Sequence, residues 1–278
     1  MVFSCLKDLG FGPVNTIIMT YISLDVFSKL RLNAARLLNA LYYRTKLKIF
    51  REFSNKLSSG LRIKVNDIYY VLTCTSDLLE VVPEYEKEVF DELFRILKSG
   101  SVFIDVGAHI GRYSFPVARF VGEDGIVVVI EPDPVSFRAL SMGVELNGLR
   151  NVLALNVALG DREGKAALCQ KFVTATSSIV EINGCRRFVE VPLRRLDSIV
   201  DGLGLKRVDV IKIDAEGAEV QVLRGGAKTI MRFRPFIVVE VRNRNIDQFK
   251  QIMGDLGYFC EKVVEGIADK VFICYNAM

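Results

Sequence analysis

The sequence predicts an α/β protein built on a mostly parallel sheet flanked by helices, and three stretches predict it. Residues 102–105, 126–131 and 236–241 are strand-length runs dominated by apolar residues, as strands covered on both faces must be. Each ends in or beside a carboxylate, Asp105, Glu131 and Glu240 respectively. Open parallel sheets place ligands beyond the carboxyl ends of their strands, so these acids mark a candidate functional edge. A half-apolar composition over 278 residues is enough for a sizeable core.

Taken in order, the chain begins with a basic segment. Residues 1–66 hold 11 Lys and Arg against 3 Asp and Glu, while the remainder is acidic. From Leu24 to Phe53, Phe27, Leu30, Ala34, Leu37, Leu38 and Leu41 recur at helical spacing, with Arg31, Arg36, Arg44, Lys46, Lys48 and Arg51 interspersed. One reading lays this amphipathic helix on the main domain; the other adsorbs residues 24–53 to an anionic membrane surface. Ser58-Ser59-Gly60 separates this helical extension, residues 1–60, from a main domain at 61–278. Residues 61–74 alternate as two short strands around Asn66-Asp67, a hairpin signal. A helix follows over 84–97, closed by Lys98-Ser99-Gly100.

Strand 102–105 then runs into a turn carrying Asp105, Gly107, His109 and Gly111, and on into a helix. The Asp-x-Gly-x-x-x-Gly spacing differs from the G-x-G-x-x-G that wraps a pyrophosphate, and a carboxylate at a strand tip suits an ammonium group. The methionine part of S-adenosylmethionine is such a ligand; a tight turn common to any α/β protein is the other reading. His109 is the sole histidine, which excludes histidine-rich metal sites, and no metal is expected. Its place in the turn points to shaping the backbone or lining the ligand. Glu131, 20 residues past Gly111, stands where nucleoside-binding folds accept hydrogen bonds from ribose.

Pro132 and Pro134 stop that strand and start a helix over 135–146, ended by Asn147-Gly148. Residues 152–157 form a third strand, and the small Ala158 leaves room for a flat ring such as adenine. Residues 169–191 read as an antiparallel insertion or a hairpin over the site. In it, Thr174, Thr176, Ser177 and Ser178 form either a substrate-facing loop or a polar turn. Around the strand at 208–214, alternation sends Lys212, Asp214 and Glu216 toward one side, although Glu216 and Glu219 could equally favour a helix start. Glu240 tips the fifth strand. A helix over 245–257 and two strands, 258–264 and 270–275, about a turn at Gly266 complete an antiparallel edge.

The six cysteines are too scattered for a zinc pattern and read as mostly buried and reduced. A cytoplasmic location is expected, since no clean apolar core or small-residue cleavage site opens the chain and Asp25, Lys29 and Arg31 interrupt the only apolar run approaching a membrane span.

Together FIDVGAHIGRYS, IEPDP, the asparagine of ELNGLRNV, ALGDREG, the TSS segment, VPLRRLDSIV, IKIDAEGAE and RPFIVVEV resemble the FkbM family of S-adenosylmethionine-dependent methyltransferases over about residues 80–243. The resemblance implies a class I methyltransferase, Rossmann-like fold with a seven-stranded, mostly parallel sheet. It also implies S-adenosylmethionine as cofactor and O-methylation of a sugar, glycolipid or other hydroxyl-bearing metabolite. By position, Asp105, Gly107 and Gly111 match the glycine motif, Glu131 the ribose ligand, and Asp214 and Glu216 the KIDxEG motif. His109 departs from the common Asn, and Arg242 from the His that many relatives carry after the fifth strand's glutamate.

Methyl transfer to a hydroxyl needs alignment and a base, for which Asp214 or Glu240 is the candidate, with Lys212 an electrostatic auxiliary. The other readings are a nicotinamide-dependent oxidoreductase, disfavoured by the missing third glycine, and a non-catalytic membrane- or glycan-binding protein. No nucleic-acid partner is expected.

Overall fold

The structure, a computed structural model, describes residues 22–23, 26–45, 56–81, 85–265 and 269–276. The chain divides into two compact units between Tyr85 and Glu86. The first holds β1 (Ile22–Ser23), α1 (Val26–Thr45), β2 (Arg62–Val65), β3 (Ile68–Val71) and α2 (Asp77–Glu80). The expected hairpin is β2–β3. Asn66 and Asp67 take φ of 46° and 66°, the left-handed pair that a two-residue type I′ turn requires.

The helix α1 leaves much of the apolar stripe read from helical spacing exposed. Leu32 and Ala35 are buried, whereas Leu30 and Leu37 are 61% and 47% exposed and Ala34 is exposed beside them. The 30/34/37 stripe therefore faces outward, and the buried positions lie on another face of the helix. Lys46, Lys48, Arg51 and Phe53 fall outside the described residues, as do the side chains of Phe27, Leu41 and Arg44.

The second unit opens with α3 (Lys87–Ile96), β4 (Val102–Val106), α4 (Ser114–Val121), β5 (Ile126–Ile130), α5 (Pro134–Leu146) and β6 (Val152–Leu155). The side sheet follows: β7 (Ala158–Leu159), β8 (Gly164–Gln170) and β9 (Arg187–Arg194). Then come α6 (Leu196–Gly202), β10 (Val210–Ile213), α7 (Glu219–Gly225), α8 (Ala227–Phe233), β11 (Phe236–Arg242), α9 (Ile246–Asp255), β12 (Tyr258–Glu265) and β13 (Asp269–Asn276). Seven strands make the main sheet in the order β12-β13-β11-β10-β4-β5-β6, parallel except at β13 and β12. The Gly266 turn lies outside the described residues.

One face of this sheet is wholly apolar. Ile104, Val106, Ile130, Ile211, Ile213, Val239 and Val241 pack with Leu196, Val222, Ile230 and Phe249 from the helices α6 to α9. The alternate residues of the same strands point the other way, and near the carboxyl ends they are polar. Lys212 pairs in register with Asp105 on one side and Val238 on the other, so Asp105, Lys212, Asp214 and Glu240 share a face.

Cys260 and Cys274, directly opposite on β12 and β13, form a disulfide, which corrects the expectation for those two. Cys74 and Cys169 are buried free thiols and Cys185 is a partly buried one. Among the described residues no helix is long and apolar enough to cross a membrane.

Candidate active site

The turn after β4 is shaped by its glycines. Gly107 has φ +77°, and a Cβ there would stand 1.8 Å from the carbonyl oxygen of Asp214. A Cβ on Gly111, at φ +89°, would meet the Phe115 ring at 2.3 Å. What comes close to their missing side chains is thus the neighbouring strand tip and the following helix, so backbone packing already requires glycine at both positions. His109 sits between them at φ +50°, in the left-handed region where Asn and His are both enriched, which accounts for a histidine in place of the common asparagine. Its Nε2 lies 3.0 Å from Thr174 Oγ1.

Asp105 was expected to hold a ligand ammonium directly, and its surroundings correct that. The residue is 0% exposed; one carboxylate oxygen accepts from Ser114 Oγ at 2.6 Å and the other faces Lys212 Nζ at 3.7 Å. Burial pushes the Asp105 carboxyl up, while Lys212 and Ser114 oppose the shift. The oxygen facing Lys212 has no hydrogen bond among the described residues.

Lys212 is itself buried between two acids. Its Nζ is 3.6 Å from Asp214 Oδ2 and 4.8 Å above the Tyr113 ring, whose hydroxyl donates to Glu86. Burial works against its charge, but Asp214 and Asp105 outweigh burial and hold its pKa above the lysine range. The side chain of Asp214 is 31% exposed, so it is Asp214 that this edge presents to a cation or a reacting hydroxyl.

Glu240 faces Asp214 from the next strand. Asp214 first, then burial, Asp269 and Glu86, push its carboxyl up to about 10, so it carries a proton near neutral pH. Glu216 stands at φ +50° and is pushed up to about 8 by burial and Asp214, against the pull of Arg242. Arg242 binds Glu216 and reaches Asp269 at 3.0 Å, so this side chain ties the loop after β10 to the start of β13. A guanidinium stays protonated and does not act as a base. Glu219 turns back to accept the Gly217 N–H at 2.6 Å, the helix-start role weighed for it.

Glu131 lies at the tip of β5, 6% exposed, accepting the backbone N–H of His109 and of Asp133, each at 2.8 Å. Burial pushes it up to about 7 despite those bonds. Each carboxylate oxygen keeps a lone pair for a further donor. Ala158, expected beside a flat ring, instead packs with Leu168, Val191 and Leu193 in the core of the side sheet, and its small size serves that packing.

Sequence reasoning missed Asp133. It caps α5 through the N–H of Val135 at 2.8 Å and binds Gln170 at 2.9 Å and Ser177 at 2.9 Å from the side-sheet segment. The Asp-Pro step carried the capping signal; the long-range bonds had none.

A ribose-bearing cofactor fits this edge, with Asp214 the acid exposed to its positive end. Glu131 offers hydrogen-bond acceptors for ribose, and around Asp214 the acids Glu216, Glu240, Glu86 and Asp269 gather against Lys212 and Arg242.

Comparison with known proteins agrees. The methyltransferase FkbM domain model matches residues 105–260, more than half of the chain. Methyltransferase 1 of Beauveria bassiana is 25% identical over 186 residues, covering 59% of this chain and 74% of the relative. Methyltransferase sdnD of Sordaria araneosa is 31% identical over 173 residues, 50% of this chain and 66% of its own length. The crystal structure of an FkbM methyltransferase from Methylobacillus flagellatus shares the fold at a TM-score of 0.50 and 16% identity; the match covers 94% of this chain but 58% of that one. The chain belongs to the FkbM family of methyltransferases, with a class I fold and S-adenosylmethionine as its cofactor.

Proposed function

We propose that the protein methylates a hydroxyl oxygen of a sugar, glycolipid or other small metabolite, with Asp214 as the base. The observation that carries this reading is the trio on one sheet face. Asp214 is accessible and ion-paired to Lys212 at 3.6 Å, while Glu240 opposite it is held protonated with a pKa of about 10. Bound S-adenosylmethionine supplies an electrophilic methyl carbon on a cationic sulfur. Glu131 would hold the ribose, and Asp214, the exposed acid of the edge, would face the positive charge. Asp214 takes the hydroxyl proton as the oxygen attacks, Glu240 donates a hydrogen bond that orients the acceptor, and Lys212 holds Asp214 in place. Glu240, weighed beside Asp214 as base, thus becomes the donor of the pair.

The test is incubation of the full chain with methyl-labelled S-adenosylmethionine and metabolite extract, followed by mass spectrometry. Label in methyl ethers supports the reading, and label in methyl esters or on nitrogen or carbon overturns it.

We propose also a peripheral contact of α1 with anionic membrane. The exposed Leu30, Ala34 and Leu37, beside the exposed Arg31, support it as an exposed apolar stripe with a basic flank. A cytoplasmic location belongs to the same reading; the Cys260–Cys274 disulfide is a feature of oxidising compartments and so supplies its test. Thiol trapping in intact cells should find these cysteines reduced if the protein works in a reducing compartment; a persistent disulfide speaks against it.

A further inference from the structure

Residues 174–178, Thr-Ala-Thr-Ser-Ser, reach all three loops of the site. Thr174 bonds to the ring of His109 after β4, and Ser177 Oγ donates to Asp133 after β5 at 2.9 Å. Ser178 Oγ donates to the carbonyl of Glu216 after β10 at 2.8 Å. The segment is itself anchored. Ser178 and Cys169 exchange both backbone hydrogen bonds, at 3.2 and 2.8 Å, at the end of β8. The same hydroxyl accepts the N–H groups of Val180 and Glu181 at 3.0 and 2.9 Å. With one bond donated and two accepted, the Ser178 hydroxyl is saturated, and the residue is 2% exposed.

Ser178 holds the loop after β10 beside Arg242 on the Glu216 side chain, Glu219 on the Gly217 N–H and Asn245 on the Gly217 carbonyl. A non-glycine residue at φ +50° persists only where its surroundings fix it, and Asp214 stands two residues before it.

We infer that this segment divides the positioning of the site between neighbouring residues. Thr174 and Ser177 set the two cofactor loops, and Ser178 sets the loop that carries Asp214. Ser178 is a positioning residue, since it acts through the 214–219 backbone and touches no reacting group. The inference rests on the proposed chemistry only for the part played by Asp214; the placement of the loops is independent of any acceptor.

The experiment measures two quantities on the full chain: hydrogen exchange of the 214–219 amides, and affinity for adenosine, the half of the cofactor that Glu131 would hold. Ser178→Ala should speed exchange at 214–219 about tenfold, the loss expected from one buried hydrogen bond, and leave adenosine affinity unchanged. Thr174→Val and Ser177→Ala should each weaken adenosine up to about tenfold without changing that exchange. Ser178→Thr, which keeps the hydroxyl, should restore wild-type exchange. If Ser178→Ala is too unstable to handle, Ser178→Cys, close in size with a weaker donor, should show the same ordering. Unchanged exchange in Ser178→Ala and Ser178→Cys overturns the inference. So does a set of variants that all move both readouts together, which is the mark of a segment that merely holds the fold. If none of the variants alters exchange or methyl transfer while labelling still yields methyl ethers, the inference alone fails. Label on nitrogen with the predicted split intact removes the O-methylation reading instead.

Discussion

The two faces of the main sheet are built from alternating residues of the same strands, yet they are held together by different physics. On one face Ile104, Val106, Ile211 and Ile213 are 0–3% exposed among other aliphatics, so each contributes by burial and tolerates a neighbour of similar volume. On the other, Asp105 and Lys212 are as deeply placed but hold one another, with Ser114 on the far side of Asp105. A buried charge is tolerable only while its partner remains. The apolar face can be altered residue by residue; the polar face behaves as one unit, and the site is the open end of that unit.

The largest expected effect breaks the polar unit at its centre. Lys212→Met leaves Asp105 buried without its cation and should cost about 3–5 kcal/mol of stability in urea denaturation. Ile211→Val, one residue away on the apolar face, should cost about 0.5–1.5 kcal/mol. Equal losses for the two variants would remove the contrast between the faces.

Next comes the ribose carboxylate. Glu131→Ala should weaken S-adenosylmethionine by about 1.5–3 kcal/mol in a calorimetric titration, the contribution of hydrogen bonds to a charged group. Unchanged affinity would detach Glu131 from the cofactor. The same residue predicts a pH dependence whose sign follows from its pKa of about 7. The ionised carboxylate is the better acceptor, so affinity should fall as pH drops below about 7, approaching tenfold per unit. Glu131→Gln, which does not titrate, should flatten that fall; a wild-type profile that rises toward acid would give the wrong sign.

The smallest effect concerns the first unit. Basic residues near an anionic surface contribute about 1 kcal/mol each, so the full chain should adsorb to vesicles of anionic lipid and release with added salt. Leu30→Asp with Leu37→Asp should abolish adsorption while leaving the buried Leu32 and Ala35 in place. Equal partitioning of wild type and variant onto anionic and neutral vesicles would remove the membrane reading.

Most strands could be read directly because burial on both faces leaves no ambiguity of composition, and Lys212, Asp214 and Glu240 followed from period-two alternation at their tips. Asp105 was located correctly, but its enclosure was not foreseen, because Ser114 approaches it from the next helix. Whether the α1 stripe packs or faces outward was left open, because helical spacing names a face without saying which face the neighbours cover. The Cys260–Cys274 disulfide had a faint signal, since the two positions are equidistant from residue 267 across the predicted hairpin. Asp133 and Ser178 had none at long range, since their partners lie 37–44 and 38 residues away in sequence.

The account turns on Asp214, and Asp214→Asn tests it most directly because the amide keeps the shape and removes the charge. With methyl-labelled S-adenosylmethionine and extract as acceptor, transfer should fall about 10²–10⁴-fold, the range for loss of a general base, in a variant that melts as a folded protein. A folded Asp214→Asn that transfers methyl groups at the wild-type rate would contradict it.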